Sequence, residues 1–261
     1  MMHITVSPDA TSLGLHAALE TAEIMREAIA KDGCARIILS TGASQFTTLE
    51  ALIAQPGIDW SKVEMFHLDE YVDLPITHIA SFRKYLQERF VDKVHPGKVN
   101  FVDGTPECIA KLTEELNKGP IHVGLIGIGQ NAHIAFNDPP ADFDVEDAYI
   151  IVNLNDTCKA QQVHEGWFAT PDDVPKQAVS MSVKRIMMCE KIISAVPYPE
   201  KANAIEGTLH NELTNLIPGT MLKTHKHFSL YVDKDSFGKV DVNKILPAKG
   251  ETSFELTVHT A

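Results

Sequence analysis

Short apolar runs alternate along this chain with longer segments of helical period, and that alternation restricts the fold more than any other feature. Ala35-Arg36-Ile37-Ile38-Leu39-Ser40, Val63-Glu64-Met65-Phe66-His67-Leu68 and Ile121-His122-Val123-Gly124-Leu125-Ile126 read as buried strands. Residues 12–31 read as a helix, with Leu15, Leu19, Ala22, Met25 and Ile29 at helical spacing. Further helices are predicted from near Thr47, over 79–92, and after a Thr105 cap, the last ending at Gly119-Pro120. Ile109, Leu112 and Leu116 should face inward on that last helix. Later strands are expected at 149–153, 190–196 and 227–232, and helices near 174–187 and 199–211. This strand–helix–strand rhythm implies an α/β fold, a parallel sheet with helices on both faces. Hydrophobic residues make up 44% of the 261, ample for one substantial core. With no repeat and no low-complexity linker, residues 1–261 are read as a single domain.

The bulk properties exclude several classes. No apolar run approaches the ~18 residues of a membrane span. Met1-Met2-His3-Ile4-Thr5-Val6 lacks the basic-then-apolar pattern of a secretion signal. Cys34, Cys108, Cys158 and Cys189 are far apart and form no C-x-x-C pair, so they read as reduced thiols of a cytoplasmic protein. A net charge of −12 gives nucleic-acid binding no global support, although a local pocket could still hold a phosphorylated metabolite.

In a parallel sheet, ligands sit beyond the carboxyl ends of the strands, so the loops after the three clearest strands hold the search for chemistry. The first is Ser40-Thr41-Gly42-Ala43-Ser44-Gln45. Its small residues let backbone N–H groups approach an anion, and the following helix offers its positive end. A tight turn with Ser/Thr capping fits the same residues equally well. The G-K-[ST] ending of a Walker loop is missing. The second loop is Leu68-Asp69-Glu70-Tyr71-Val72, where two acids follow an apolar strand directly. A carboxylate there could serve as a general base, although a turn cap is the commoner use of such a pair.

The third loop runs Gly127-Ile128-Gly129-Gln130-Asn131-Ala132-His133-Ile134-Ala135-Phe136-Asn137-Asp138-Pro139-Pro140. His133, with Asp138 five residues on, has the makings of an acid–base pair. The glycines also raise a dinucleotide-binding reading. Asn137-Asp138-Pro139-Pro140 opposes it, because it would break the long helix that this fingerprint needs.

Together these loops resemble the glucosamine-6-phosphate deaminase branch of the deaminase/6-phosphogluconolactonase family. The matching segments are Ser40–Gln45, Phe66–Leu74, Gly127–Asp138, Asp173–Ser182 and Tyr198–Ala204, in the family's order over nearly the whole chain. The resemblance implies a single-domain Rossmann-like fold, a sugar-phosphate substrate, no cofactor and no metal, and it leaves a homo-oligomer open. It implies that Thr41, Gly42, Ala43 and Ser44 hold the phosphate together with Lys201, and that Glu70 and Gly129 line the substrate site. Asp69 would be the base that moves a proton between C2 and C1. His133 would open the pyranose ring, oriented by Asp138. The products would be fructose 6-phosphate and ammonia, a step of amino-sugar catabolism.

Three departures stand out. The family pattern reads Asp-Gly-His where this chain has Asn131-Ala132-His133, and Glu where it has Asp138. A phosphate-gripping Arg has no clear counterpart in Asp156–Gln162, where Lys159 is the nearest substitute and would bind as a point charge. Some relatives are activated by an N-acetylated sugar phosphate at a basic site after the catalytic loop. Here that stretch, Ala141–Asp147, is acidic, so no such activation is expected. Two alternatives remain: a 6-phosphogluconolactonase, and a catalytically weakened sugar-phosphate sensor, which the Asn131 change motivates.

Overall fold

A computed structural model describes residues 2–164, 166–247 and 253–260, without the side chains of Thr157, Gln161 and His164. The strands are β1 (Met2–Ser7), β2 (Ala35–Leu39), β3 (Val63–His67), β4 (Asp69–Tyr71), β5 (Lys98–Asn100), β6 (Val123–Leu125), β7 (Tyr149–Asn153), β8 (Gln177–Met181), β9 (Ile192–Val196), β10 (Phe228–Asp233) and β11 (Phe254–Val258). The helices are α1 (Ala10–Asp32), α2 (Phe46–Ile53), α3 (Phe82–Leu86), α4 (Asp92–Val94), α5 (Pro106–Leu116), α6 (Asp156–His164), α7 (Val183–Ile186), α8 (Ala202–His210) and α9 (Gly219–Leu222). Among the described residues no helix is long and apolar enough to cross a membrane.

Eight strands form one sheet in the order β11-β1-β10-β9-β6-β2-β3-β5, and every neighbouring pair is parallel. Side chains alternate across a strand, so a strand buried on both faces is predominantly apolar. β2 and β9 are buried at all five residues. Ile37 and Leu39 pack on one face with α1, α2 and Phe90, while Ile38 packs on the other with α5, α7 and α8. The expected two-layered helical cover of a parallel sheet is therefore present.

Three local expectations are corrected. The stretch 174–187 is not one helix; it is β8 followed by the short α7. Its apolar residues fit either period, and pairing with β4 and β7 decides for a strand. β4, β8 and β7 make a separate antiparallel sheet, in which Asp69 pairs with Ser180. Helix α1 buries Ala22 and Met25 of its expected stripe but not its two leucines. Leu15 and Leu19 are 45% exposed, and the buried face is Leu13, Gly14, Ala17, Ala18, Thr21, Ala22, Met25 and Ala28.

Small residues win that face because α1 lies close against α2. A Cβ on Gly14 would sit 2.6 Å from the backbone carbon of Thr47, with no flexible side chain there to yield. Ala ordinarily favours a helix interior over Gly by about 1 kcal/mol. Overpacking costs about 1–3 kcal/mol. Gly14→Ala is therefore expected to lower the thermal midpoint, and a midpoint raised by the better helix former would refute this account of the α1–α2 contact.

Candidate active site

The four central strands β9, β6, β2 and β3 end side by side, and their following loops surround one cavity of about 690 Å³. Ser40–Ser44 follows β2, Leu68-Asp69 follows β3, Gly127–Gln130 with His133 follows β6, and Tyr198–Lys201 follows β9. The cavity thus draws on all three loops singled out in the sequence.

Thr41, Gly42, Ala43 and Ser44 line one wall. Gly42 has φ 106°, a conformation open to glycine, and a short 3-10 turn then leads into α2. Gln45, buried beneath the turn, donates from Nε2 to Ser44 Oγ at 3.1 Å and to the Ala195 carbonyl at 3.0 Å. The Tyr85 hydroxyl donates to the Gly42 carbonyl at 3.1 Å. The turn is therefore fixed from both sides before any ligand arrives. Lys201 also lines the cavity, from the 3-10 turn that leads into α8.

Asp69 lines the cavity at 7% exposure. Burial, reinforced by the charge of Glu70, pushes its carboxyl up to about 8. Glu70 itself does not line the cavity. Its carboxylate, fully buried, accepts from the backbone N–H groups of Tyr71, Phe82 and Arg83, from Ser81 Oγ, and from Arg83 Nε at 3.2 Å. The expected substrate-contacting role of Glu70 thus gives way to a structural one, because its hydrogen bonds are turned inward. Lys159 is half-buried on α6 and is likewise not part of the cavity wall.

His133 faces the cavity with its ring laid over Gly129, where any Cβ would run into the imidazole. Gly129 is thus required by the ring that it supports. Behind His133 lie Asn131 and Asp138, neither of them on the cavity wall. Asn131 Oδ1 accepts from the His133 backbone N–H at 3.1 Å and lies 2.6 Å from its Nδ1. A backbone N–H can only donate, which fixes that atom as the amide oxygen and places a proton on Nδ1. Asn131 Nδ2 in turn donates to Asp138 Oδ1 at 3.0 Å, and His133 Nδ1 is 3.3 Å from the same oxygen. Burial works against the Asp138 charge, but the hydrogen bonds and charge of His133, with the Asn131 bond, hold its carboxyl below the usual range. This arrangement leaves His133 Nε2 to exchange a proton with whatever occupies the cavity.

The remaining wall consists of residues to which the sequence assigns no role. Phe82, Phe136 and Trp167 supply aromatic surface, and Lys84, Tyr85, Arg89 and Tyr198 also line the cavity. Tyr198 has φ 83°, a strained value for a residue with a Cβ, and its N–H is held by Asp233 Oδ2 at 2.9 Å. The acidic stretch after the catalytic loop forms a separate, open depression, with Asp142 and Asp144 beside Phe143 and Leu213.

A family model described as glucosamine-6-phosphate isomerases/6-phosphogluconolactonase matches residues 8–231. The chain belongs to that family. It is 35% identical over 215 residues to a glucosamine-6-phosphate deaminase of Staphylococcus epidermidis, covering 77% of this chain and 86% of the relative. It is 29% identical to the glucosamine-6-phosphate deaminase of Streptococcus equi subsp. zooepidemicus, over 84% and 92% of the two chains. A solved monomeric glucosamine-6-phosphate deaminase shares the fold with a TM-score of 0.77 at 23% identity, covering 90% of this chain and 98% of that one. The 6-phosphogluconolactonase of Thermotoga maritima shares it at 0.73 and 14%, covering 90% and 100%.

The raised Asp69 carboxyl has a consequence for stability. An unfolded Asp titrates near ~3.9, so between that value and about 8 the folded state holds a proton that the unfolded state has lost. The stability contributed by this group is fully present below the unfolded value and is lost as pH rises through the folded one. Asp69→Asn is expected to flatten that decline, so the variant should gain on the parent in denaturant midpoint from pH 5 to pH 9. Parallel midpoints across the range would show that Asp69 is not desolvated in the folded protein.

Proposed function

We propose that this protein converts glucosamine 6-phosphate and water to fructose 6-phosphate and ammonia. The observation that carries the reading is that Asp69 and His133 share one cavity with the Thr41–Ser44 turn. A hexose phosphate anchored at that turn presents its C1–C2 end to the two titratable groups. Family membership and the deaminase relatives support the same reading.

The backbone N–H groups and hydroxyls of Thr41–Ser44, with Lys201, hold the phosphate. His133 Nε2 takes the proton from the anomeric hydroxyl, and the imidazolium returns it to the ring oxygen as the C1–O5 bond breaks. Asn131 and Asp138 position the ring without touching substrate. In the open-chain sugar, the Asp69 carboxylate removes the C2 proton; its electron pair forms the C1–C2 double bond as the carbonyl pair moves to O1, which takes a proton from solvent to give an enolamine. The same carboxyl, now protonated, delivers its proton to C1 as the nitrogen lone pair forms the C2–N double bond, leaving an iminium at C2. Water adds at C2 and ammonia departs, which gives the ketose.

Because Asp69 must be ionised to accept a proton, its raised carboxyl sets the acidic limb of kcat/KM in the free enzyme. That limb should lie far above the ordinary carboxylate range, towards pH 8. Asp69→Asn should keep the fold and reduce turnover by about 10²–10⁴-fold, the usual worth of a general base. Ammonia release from glucosamine 6-phosphate measures both. Retention of turnover within a few-fold would remove Asp69 as the base, and lactone hydrolysis without ammonia release would assign the site to a phosphogluconolactonase.

Asn131 gives a separate test. Asn131→Asp replaces a donor to Asp138 with a second carboxylate at hydrogen-bond distance, and adds negative charge beside His133. Negative charge favours the imidazolium, so the limb of the pH–rate profile that reports His133 should move to higher pH. The double variant Asn131→Asp/Asp138→Asn returns one carboxylate and one amide to the pair, and should bring the profile back towards the parent. A silent parent rescued by Asn131→Asp alone would instead identify a degraded enzyme used as a sensor.

A further inference from the structure

A phosphate dianion held at the Thr41–Ser44 turn and Lys201 still favours a further cation, and the other cations on the cavity wall are unevenly available. Lys84 is engaged by Glu88 at 2.7 Å, and Glu88 and Glu200 themselves reach the cavity. Arg89 is different. It lines the cavity, is exposed, and makes no ion pair among the described residues. Its guanidinium lies 3.9 Å from the centre of the Phe46 ring and 5.5 Å from that of Tyr85. Those two rings are themselves stacked at 5.5 Å with 17° between their planes.

Both rings belong to the anion turn's own framework. Phe46 is the first residue of α2, directly after the turn, and the Tyr85 hydroxyl holds the Gly42 carbonyl. Arg89 comes from a π-helical turn, Gln87–Val91, that continues α3. Such turns are rare and recur at functional sites. Stacking on aromatic faces fixes the plane of a guanidinium while leaving its edge, with the N–H donors, uncovered. An Arg so held has lost part of its side-chain freedom before a ligand arrives, which lowers the entropic cost of binding.

We propose that Arg89, held on the Phe46 and Tyr85 rings at the lip of the Thr41–Ser44 turn, is the arginine that grips the substrate phosphate. The proposal rests on the sugar-phosphate reading of the cavity and adds a residue to it. Lys159, expected from the sequence to serve this purpose, does not reach the cavity wall. The phosphate is met from two sides: backbone N–H groups and hydroxyls from the turn, and a planar fork from the π-turn. The phosphate lies away from the C1–C2 bond, so Arg89 acts on binding and not on the proton transfers.

The test compares the parent with Arg89→Gln and Arg89→Lys in the full-length protein. Three quantities are read: KM and kcat for glucosamine 6-phosphate, the same pair for unphosphorylated glucosamine, and the affinity for inorganic phosphate measured calorimetrically. Loss of a charge-assisted fork should raise KM for the phosphorylated sugar and weaken inorganic phosphate in parallel. The expected change is on the order of tenfold to a hundredfold. The kcat should stay within a few-fold, and the unphosphorylated sugar should be unaffected. Arg89→Lys should fall between, since it keeps the charge and loses the fork. Unchanged phosphate affinity in Arg89→Gln overturns the proposal, as does an equal loss with both sugars. The phosphate measurement needs no turnover: a parent that binds phosphate through Arg89 but releases no ammonia overturns the deaminase reading and leaves this one standing.

Discussion

A carboxylate that solvent never reaches organises the cavity. Glu70 accepts five hydrogen bonds, two of them from backbone N–H groups in the first turn of α3 and one from Arg83 Nε. Such a buried charge is tolerated only because every lone pair finds a donor. This closure fixes where α3 begins, and α3 with its π-helical continuation carries Tyr85 and Arg89 to the anion turn. Burial raises the neighbouring Asp69 carboxyl, and the Glu70 charge adds to that rise. One structural acid therefore positions Tyr85 and Arg89 on the cavity and adds its charge to the burial that raises Asp69.

The sheet supplies the complementary constraint. Four parallel strands that end together bring loops from residues 40, 68, 127 and 198 to one place, although they are far apart in the chain. The small antiparallel sheet then fixes Asp69 from the side, because its backbone pairs with Ser180. Main-chain pairing at the very residue that would move the proton limits its freedom to the side chain. That preorganisation suits a base whose target is a C–H bond of fixed position.

Much of this was legible in the sequence, for identifiable reasons. Strands buried on both faces are predominantly apolar, so β2, β3, β6, β9 and β10 stand out although Arg36, Glu64, Ser194 and Asp233 interrupt them. Thr41–Ser44, Asp69, Gly129 and His133 stand out in the sequence as Gly, Ser, Asp and His in loops after buried strands, and all of them line the cavity. Other features depend on contacts that no local pattern carries. Glu70 looks identical to Asp69 in sequence, and only the direction of its carboxylate separates a helix cap from a substrate contact. Residues 174–187 have apolar positions that fit two periods, and the partner strand chose between them. Leu15 and Leu19 continue a helical stripe with Ala22 and Met25, yet the inward face runs through Leu13, Gly14, Ala17 and Ala18, where α2 would come within 2.6 Å of a Cβ on Gly14. Arg89 and Lys84 look like an ordinary solvated helix surface, and only the fold brings them to the turn.

Three residues with side chains adopt positive φ beside or beneath this cavity: Ala132 at 64°, Ala135 at 51° and Tyr198 at 83°. Backbone of that kind costs on the order of 1–3 kcal/mol per residue and persists only where neighbours impose it. Around Ala132 those neighbours include the Gly129 carbonyl and the Gly219 N–H, and at Tyr198 the Asp233 carboxylate. Among the described residues, the other two non-glycine positions with positive φ are Asp73 and His95, so three of the five gather at this cavity. Selection in the laboratory for heat resistance alone would have an easy route, through glycine at these three positions. Lineages that took it would trade a taut pocket for a slack one, so heat tolerance and turnover should drift apart at these three positions before they do so anywhere in the sheet.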